Sequence, residues 1–196
     1  MFRLSLSFHS GLPTNIYFRE LFLCVGTVSS SRKSLNYLLS QPGGVAPVLL
    51  LGGVPEMDNF REDEVRLFLK KRRGFVKMAL RHGASLVPSF SFGEAGLYRQ
   101  PGPGLVRNIL TEVRKLIGIA PVIFFGRGLV QDAFGILPHK NPVTVVVGKP
   151  IPVDKVDDPS NEEIDGLHLA YINELKNLYK KYNLKYGDPA VKLVIT

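Results

Sequence analysis

The sequence predicts a single α/β domain, because short apolar segments typical of strands alternate along the chain with amphipathic segments typical of helices. Its 196 residues are enough to enclose one sizeable core, and the composition, 45% hydrophobic and 21% charged, is that of a globular protein. We expect a mixed sheet flanked by helices in residues 31–196, preceded by an atypical N-terminal segment in residues 1–30.

The first elements are predicted between Ser29 and Lys70. Ser29-Ser30-Ser31 precedes a helical candidate at residues 32–39, and the apolar run at residues 45–51 ends at Gly52-Gly53, as a buried strand ends at a turn. Apolar and polar side chains alternate in residues 65–70, which favours a strand and leaves the start of a helix as the alternative.

The middle of the chain continues the alternation. A short helix is predicted at residues 74–81, closed by Gly83. The candidates that follow are a strand at 86–92, a helix at 104–117, a strand at 121–125 and a β-branched strand at 143–147.

The last helix has the clearest pattern in the sequence. Its apolar residues recur at steps of three and four, and Ser160 with Glu163 has the spacing of a capping box, in which the cap contributes about 1 kcal/mol. We expect this amphipathic helix at about residues 160–183. We expect it to pack back on a domain that closes near Val153, with His168 as a core histidine on its apolar face.

Two ionisable residues lie at ends of elements, where α/β proteins place chemistry. Glu56 follows a predicted strand and Gly52-Gly53, whose missing side chains let a substrate approach the backbone closely. On spacing alone a turn with a solvated glutamate is the better interpretation, since Gly-Gly is common in turns. His82 is a candidate catalytic residue, because a histidine can act as a general base, but a histidine packed at a helix end is the simpler interpretation.

Five segments of the sequence occur in the order found in one protein family. They are Gly52-Gly53-Val54-Pro55-Glu56, Arg81-His82-Gly83, Phe92-Gly93-Glu94, Gly126-Arg127-Gly128 and Gly148-Lys149-Pro150-Ile151. Together they resemble the diacylglycerol and monoacylglycerol acyltransferase family, which esterifies glycerolipid hydroxyls with acyl-CoA. The resemblance runs from about Ser31 to Lys185 and implies an α/β glycerolipid-acyltransferase domain.

The resemblance implies a role for each candidate site residue. Glu56 matches a glutamate that supports the catalytic histidine, and His82 matches a position that is structural or faces the substrate. Substrate-binding positions are matched by Gly52, Gly53, Glu94, Arg127 and Lys149, with Arg127 suited to hold a CoA phosphate through paired hydrogen bonds. For Glu94 and Lys149 a solvated turn carboxylate and an outward-pointing turn lysine are the alternatives. Acyl-CoA is the implied co-substrate, without a cofactor, and no residue spacing suits a metal.

One segment of the family pattern does not occur in the sequence. It is the His-Pro-His-Gly segment, whose histidine would deprotonate the acceptor hydroxyl, and the membrane-embedded hairpin that precedes it in the family is not seen either. A general base contributes roughly 10²- to 10⁴-fold. We therefore expect an N-terminally incomplete domain. The resemblance implies an O-acyltransferase acting on mono- or diacylglycerol or a related lipid alcohol; the alternative is an inactive truncated member that binds lipid or a full-length partner.

The charge of the chain points to an anionic partner. The formal net charge is +8, which suits nucleic acid, an anionic membrane surface or the phosphates of acyl-CoA. At an anionic leaflet the cluster Lys70-Lys71-Arg72-Arg73 would contribute roughly 4 kcal/mol, at about 1 kcal/mol per cation, whereas no nucleic-acid motif accompanies it. A merely solvated charge run, and a basic soluble binding protein, are the alternatives.

The expected location follows from the resemblance, because hydropathy gives no membrane anchor. No apolar stretch reaches the roughly 20 residues of a transmembrane helix. The family implies the cytosolic face of the endoplasmic reticulum membrane. It also implies a membrane surface and homo- or hetero-oligomers with family members as partners.

Overall fold

A computed structural model of the chain describes residues 3–8, 24, 26–42, 44–52, 56, 64–97 and 137–196. The predicted helix at 104–117 and the predicted strand at 121–125 lie outside these residues. The described elements are β1 (Arg3–Phe8), β2 (Thr27–Ser29), α1 (Arg32–Leu39), β3 (Val45–Leu49), β4 (Glu64–Leu67), α2 (Gly74–His82), β5 (Ser89–Phe92), a 3₁₀ turn (Glu94–Gly96), β6 (Thr144–Val147), α3 (Asn161–Tyr186) and β7 (Lys192–Ile195). This mixture of helices and small sheets fits the predicted α/β class.

The described strands form three small sheets, where the sequence predicted one mixed sheet. β1 lies between β2 and β3 in a parallel sheet, β4 pairs in parallel with β7, and β5 pairs with β6 in antiparallel orientation. Periodicity identifies a strand but not its partner, and a parallel pair always joins segments that are distant in sequence. The division into sheets was therefore not accessible from the pattern alone.

The two shorter helices confirm their predictions. α1 begins where the Ser31 hydroxyl accepts a hydrogen bond from the Ser34 amide, which satisfies one of the free N–H groups of the first turn. α2 ends at Gly83, whose φ of 60° lies in the left-handed region that favours glycine.

The strand around Pro88 begins later than predicted. The expected strand at 86–92 starts at Ser89, and Leu86 forms only an isolated bridge with Ile151. Pro88 has no N–H to donate to a ladder, so its carbonyl accepts from the Gly148 amide without a return bond. β3 likewise ends at Leu49, earlier than the predicted 51, and β6 begins at Thr144.

α3 confirms the predicted amphipathic helix and extends it to Tyr186. Both hydrogen bonds of the Ser160–Glu163 capping box are present. One face of α3 is buried against α2 and β5 and supplies much of the core, through Ile164, His168, Tyr171, Ile172, Leu175 and Leu178. Each fully buried aliphatic side chain of this kind contributes roughly 1.5–3 kcal/mol.

Three described strands were not predicted. β1 and β2 lie within residues 1–30, and β7 follows α3, beyond the point near Val153 where the domain was expected to close. Ile195 of β7 is buried in the same core cluster as the apolar face of α3. Within the described residues no helix combines the length and the apolar character needed to cross a bilayer.

Candidate functional site

Among the predicted site residues that the structure describes, Glu56 is held by a main-chain hydrogen bond and by close contact with a glycine. Its Oε1 accepts a hydrogen bond from the Phe68 amide at 3.0 Å, and its side chain is half-buried. A Cβ atom added at Gly52 would overlap the carboxylate group of Glu56, so the carboxylate lies directly against the glycine backbone. The interpretation as a fully solvated turn glutamate is therefore wrong, and Gly52 is explained by the close approach of this carboxylate.

Burial dominates the electrostatics of Glu56. Desolvation raises the pKa of the Glu56 carboxyl above its ordinary value of 4.5, while the Phe68 hydrogen bond and the positive charge of Arg72 oppose the rise. Because the pKa of Glu56 is raised overall, its ionised carboxylate is a stronger proton acceptor than one in water. It is also a stronger electrostatic partner for a nearby cation.

His82 has contacts of a different kind. Its Nε2 lies 3.0 Å from Oδ1 of Asn36, and since an amide oxygen only accepts, Nε2–H is the donor. This bond joins the end of α2 to α1. Directly beyond, the Val156 amide donates to the Leu80 carbonyl and Gly83 packs against Lys155, so the chain after β6 covers the end of α2. The described contacts of His82 support the interpretation as a packed helix-end histidine and do not bring it to Glu56.

Glu94 lies at an exposed position in the 3₁₀ turn after β5. The turn itself is built around Gly93, whose φ of 89° favours glycine and which the Pro142 carbonyl approaches closely. The side-chain amide of Asn141 donates to the Gly93 carbonyl. The backbone conformation and the close approach of Pro142 therefore explain why residue 93 is a glycine. The neighbouring Glu94 carboxylate is exposed to solvent.

The turn after β6 also divides into a packing residue and an exposed one. A Cβ at Gly148 would come within 2.9 Å of both a Leu178 methyl group and the Pro88 carbonyl, so glycine permits β6 to pack on α3. Lys149 is exposed, as predicted for an outward-pointing turn lysine. Two other predicted site residues, Gly53 and Arg127, lie outside the described residues.

Sequence reasoning missed the groups that hold Glu56. Arg72 was noted only as part of a basic cluster, and a main-chain N–H such as that of Phe68 leaves no trace in residue spacing. His168 confirms its prediction, because it is buried and its Nε2 lies 3.1 Å from the Leu69 carbonyl. In the part of the chain that the structure describes, no group of three or more His, Cys, Asp or Glu side chains is placed to hold a metal.

The helices and small sheets define an α/β protein. Its half-buried Glu56 carboxylate, which lies against Gly52 and accepts from the Phe68 amide, is a candidate site for proton transfer. The sequence profile of the diacylglycerol acyltransferase family matches residues 3–196, and the chain belongs to this family. The resemblance inferred from five short segments is thereby confirmed, over a longer stretch than residues 31–185.

Relatives in the family carry the names of acyltransferases with different acceptors. The chain is 41% identical over 182 residues to 2-acylglycerol O-acyltransferase 1 of Bos taurus, covering 91% of this chain and 54% of the relative. It is 40% identical to acyl-CoA wax alcohol acyltransferase 2 of Mus musculus, covering 87% and 53%. It is 41% identical to diacylglycerol O-acyltransferase 2 of Danio rerio, covering 87% and 48%. The chain thus spans about half the length of the curated relatives it matches, and no solved structure matches it significantly.

Proposed function

We propose that the chain functions as an acyl-CoA-dependent O-acyltransferase that esterifies mono- or diacylglycerol, or a related lipid alcohol, in neutral-lipid synthesis. The observation that carries the proposal is its identity of 40–41% to three acyltransferases, across 87–91% of the chain. The names of these relatives differ in the acceptor alcohol and agree in the reaction. The alternative of an inactive lipid-binding member finds no support in these relatives.

In this reaction the acceptor hydroxyl attacks the thioester carbonyl, loses its proton and releases CoA as the thiol. We assign Glu56 to the removal of that proton, because its carboxylate is partly desolvated and fixed at one oxygen by the Phe68 amide. The histidine segment that such a glutamate supports in the family does not occur among the 196 residues. Acyl transfer by the chain with and without the Glu56 carboxylate tests this assignment.

The remaining site residues follow the family resemblance. Gly52 contributes through the Glu56 carboxylate that lies against it. Gly53 admits the substrate to the backbone, Arg127 and Lys149 contact the phosphates of acyl-CoA, and Glu94 faces the substrate from its turn. For His82 we propose the structural role, which its bond to Asn36 supports. Action at the cytosolic face of the endoplasmic reticulum membrane, alone or in oligomers with family members, completes the proposal.

The test is acyl transfer by membranes that contain the full chain. Labelled acyl-CoA is offered with 2-monoacylglycerol, diacylglycerol or a long-chain alcohol, and the ester product is quantified. We expect transfer to at least one acceptor and a loss of at least about tenfold in Glu56→Gln, a conservative share of the 10²- to 10⁴-fold that proton-transfer groups contribute.

The matched control is Glu174→Gln, which removes an exposed carboxylate from α3 and should leave transfer unchanged. Equal transfer by Glu56→Gln and the unsubstituted chain would remove Glu56 from the mechanism. No ester with any of the three acceptors, from membranes in which the folded chain is present, would contradict the function itself.

A further inference from the structure

The hydrogen bond to Glu56 comes from a short segment that is held from two sides. We call residues 67–70 the anchor segment; it begins with the last residue of β4 and continues beyond the strand. Phe68, within it, donates the bond to Glu56. The orientation of that N–H therefore decides where the carboxylate lies.

The first hold acts on the peptide unit between Leu67 and Phe68. This unit contains both the Leu67 carbonyl and the Phe68 N–H, which point in opposite directions because the peptide is planar and trans. The carbonyl accepts from the Thr196 amide at 2.9 Å and from the Thr196 hydroxyl at 3.4 Å. Thr196 therefore fixes one end of the same rigid plane whose other end holds Glu56.

The second hold acts on the peptide unit between Leu69 and Lys70. Its carbonyl lies 3.1 Å from Nε2 of His168, which must be the protonated nitrogen because a carbonyl only accepts. The Arg72 amide adds a second bond to this carbonyl, at 2.8 Å, and the Lys70 N–H at the other end donates to the Thr196 carbonyl at 2.9 Å. This plane too is fixed at both ends.

His168 and the side chain of Leu69 make these holds rigid. His168 is 6% exposed, and its ring and that of Phe75 pack in a T-shaped arrangement with 6.0 Å between centroids. Leu69 is 3% exposed within the core. A buried imidazole in a packed site has few alternative orientations, so its Nε2–H stays directed at the anchor segment.

We propose that His168 and Thr196 are positioning residues for Glu56, which pin the two peptide units of the anchor segment and so aim the Phe68 N–H at the carboxylate. The consequence for catalysis rests on the proposed function. The consequence for the state of Glu56 does not, and it is measured first.

The experiment is a carboxyl ¹³C titration of Glu56 in the labelled full chain, together with hydrogen exchange of the Phe68 amide. Thr196→Pro removes the N–H that holds the Leu67 carbonyl, and Thr196→Ala keeps it. His168→Phe keeps a ring but removes the donor, and His168→Gln returns an amide N–H to about the reach of Nε2. The charged neighbour of Glu56, Arg72, is unchanged in all four variants.

Both Thr196→Pro and His168→Phe should raise the pKa of Glu56 further, because a hydrogen bond to the ionised carboxylate is weakened. They should also speed Phe68 exchange by about tenfold or more, whereas Thr196→Ala and His168→Gln should stay close to the unsubstituted chain. An unchanged pKa and unchanged exchange in folded Thr196→Pro and His168→Phe would overturn the inference. Loss of folding by both variants would also overturn it. The same holds if the signal of the Phe68 amide in the unsubstituted chain does not change as Glu56 titrates.

Transfer kinetics separate this inference from the proposed function. In the active protein Thr196→Pro should lower kcat with little change in KM for the lipid acceptor, and should cause no further loss in a Glu56→Gln background. An equal loss in both backgrounds would show a general structural effect and overturn the positioning role. Full activity of Glu56→Gln, with the expected titration and exchange results, would overturn the role of Glu56 in the reaction and leave the positioning geometry standing.

Discussion

The surroundings of Glu56 and the surroundings of His82 differ in what holds the ionisable group. Glu56 is fixed by a main-chain N–H on a peptide plane that is itself hydrogen-bonded at its other end. His82 is fixed by one bond to the exposed side chain of Asn36. A group that moves protons must be held within a fraction of an ångström, and packed backbone provides such a hold better than a mobile side chain. The contrast supports the proposed role of Glu56 in proton transfer and the proposed structural role of His82 as a link between two helices.

The largest effect should come from Leu69, the residue of the anchor segment that is buried in the core. Leu69→Ala should lower the free energy of unfolding by about 2–5 kcal/mol, the usual range for truncating a buried leucine, since Leu69 is 3% exposed. The control Leu184→Ala, at a position that is 78% exposed, should change it by less than about 0.5 kcal/mol. Urea unfolding measures both. A loss under about 1 kcal/mol for Leu69→Ala would mean that the anchor segment is not held by the core.

The next effect concerns the glycine against which the carboxylate lies. Gly52→Ala should reduce acyl transfer by about tenfold to a hundredfold, because the new methyl group displaces the carboxylate from the Phe68 N–H. The flexible end of Glu56 can move aside, so the fold should survive. Transfer and the circular dichroism spectrum are measured together.

The matched control for this substitution is Gly166→Ala in α3, where an added Cβ meets no atom within 4 Å. It should leave transfer unchanged and raise the free energy of unfolding by roughly 0.5–1 kcal/mol, as alanine replaces glycine inside a helix. Full transfer by a folded Gly52→Ala protein would show that transfer does not depend on the position of the Glu56 carboxylate. The different surroundings of Glu56 and His82 would then say nothing about their roles in the reaction.

What the sequence could predict depends on how local the deciding interactions are. α3 and its capping box were predicted closely, because both the apolar stripe and the Ser160–Glu163 pair are patterns within a few residues. β7 was not predicted, although residues 191–195 are mostly apolar, since its importance lies in pairing with the distant β4. Glu56 was identified through the family resemblance and its hydrogen-bond donor was not, because that donor belongs to the backbone.

A smaller effect should follow from removing His82. His82→Ala should lower the free energy of unfolding by about 0.5–1.5 kcal/mol, the net value of one hydrogen bond, and Asn36→Ala should do the same. The double variant should lose little more than either single one, because both substitutions break the same bond. Transfer should stay within about threefold. A large loss of transfer by a His82→Ala protein of normal stability would instead make His82 part of the chemistry.

The smallest effect tests which force dominates at Glu56. Its pKa is raised in the folded state, so the folded protein binds the Glu56 proton more tightly than the unfolded chain does. The stability that this contributes is present below the ordinary value of 4.5 and is lost as the pH rises through the folded pKa. Glu56→Gln should therefore melt slightly above the unsubstituted chain at neutral pH, with the difference shrinking toward acid pH.

Glu174→Gln supplies the baseline for losing one negative charge from a protein of net charge +8. The difference in melting temperature for Glu56→Gln should remain small after this correction, because the side chain is only half-buried. A Glu56→Gln protein that is less stable at neutral pH would show that the Phe68 bond and Arg72 outweigh burial. Glu56 would then be a paired carboxylate that stabilises the fold. Its tight positioning alone would no longer distinguish its role from that of His82.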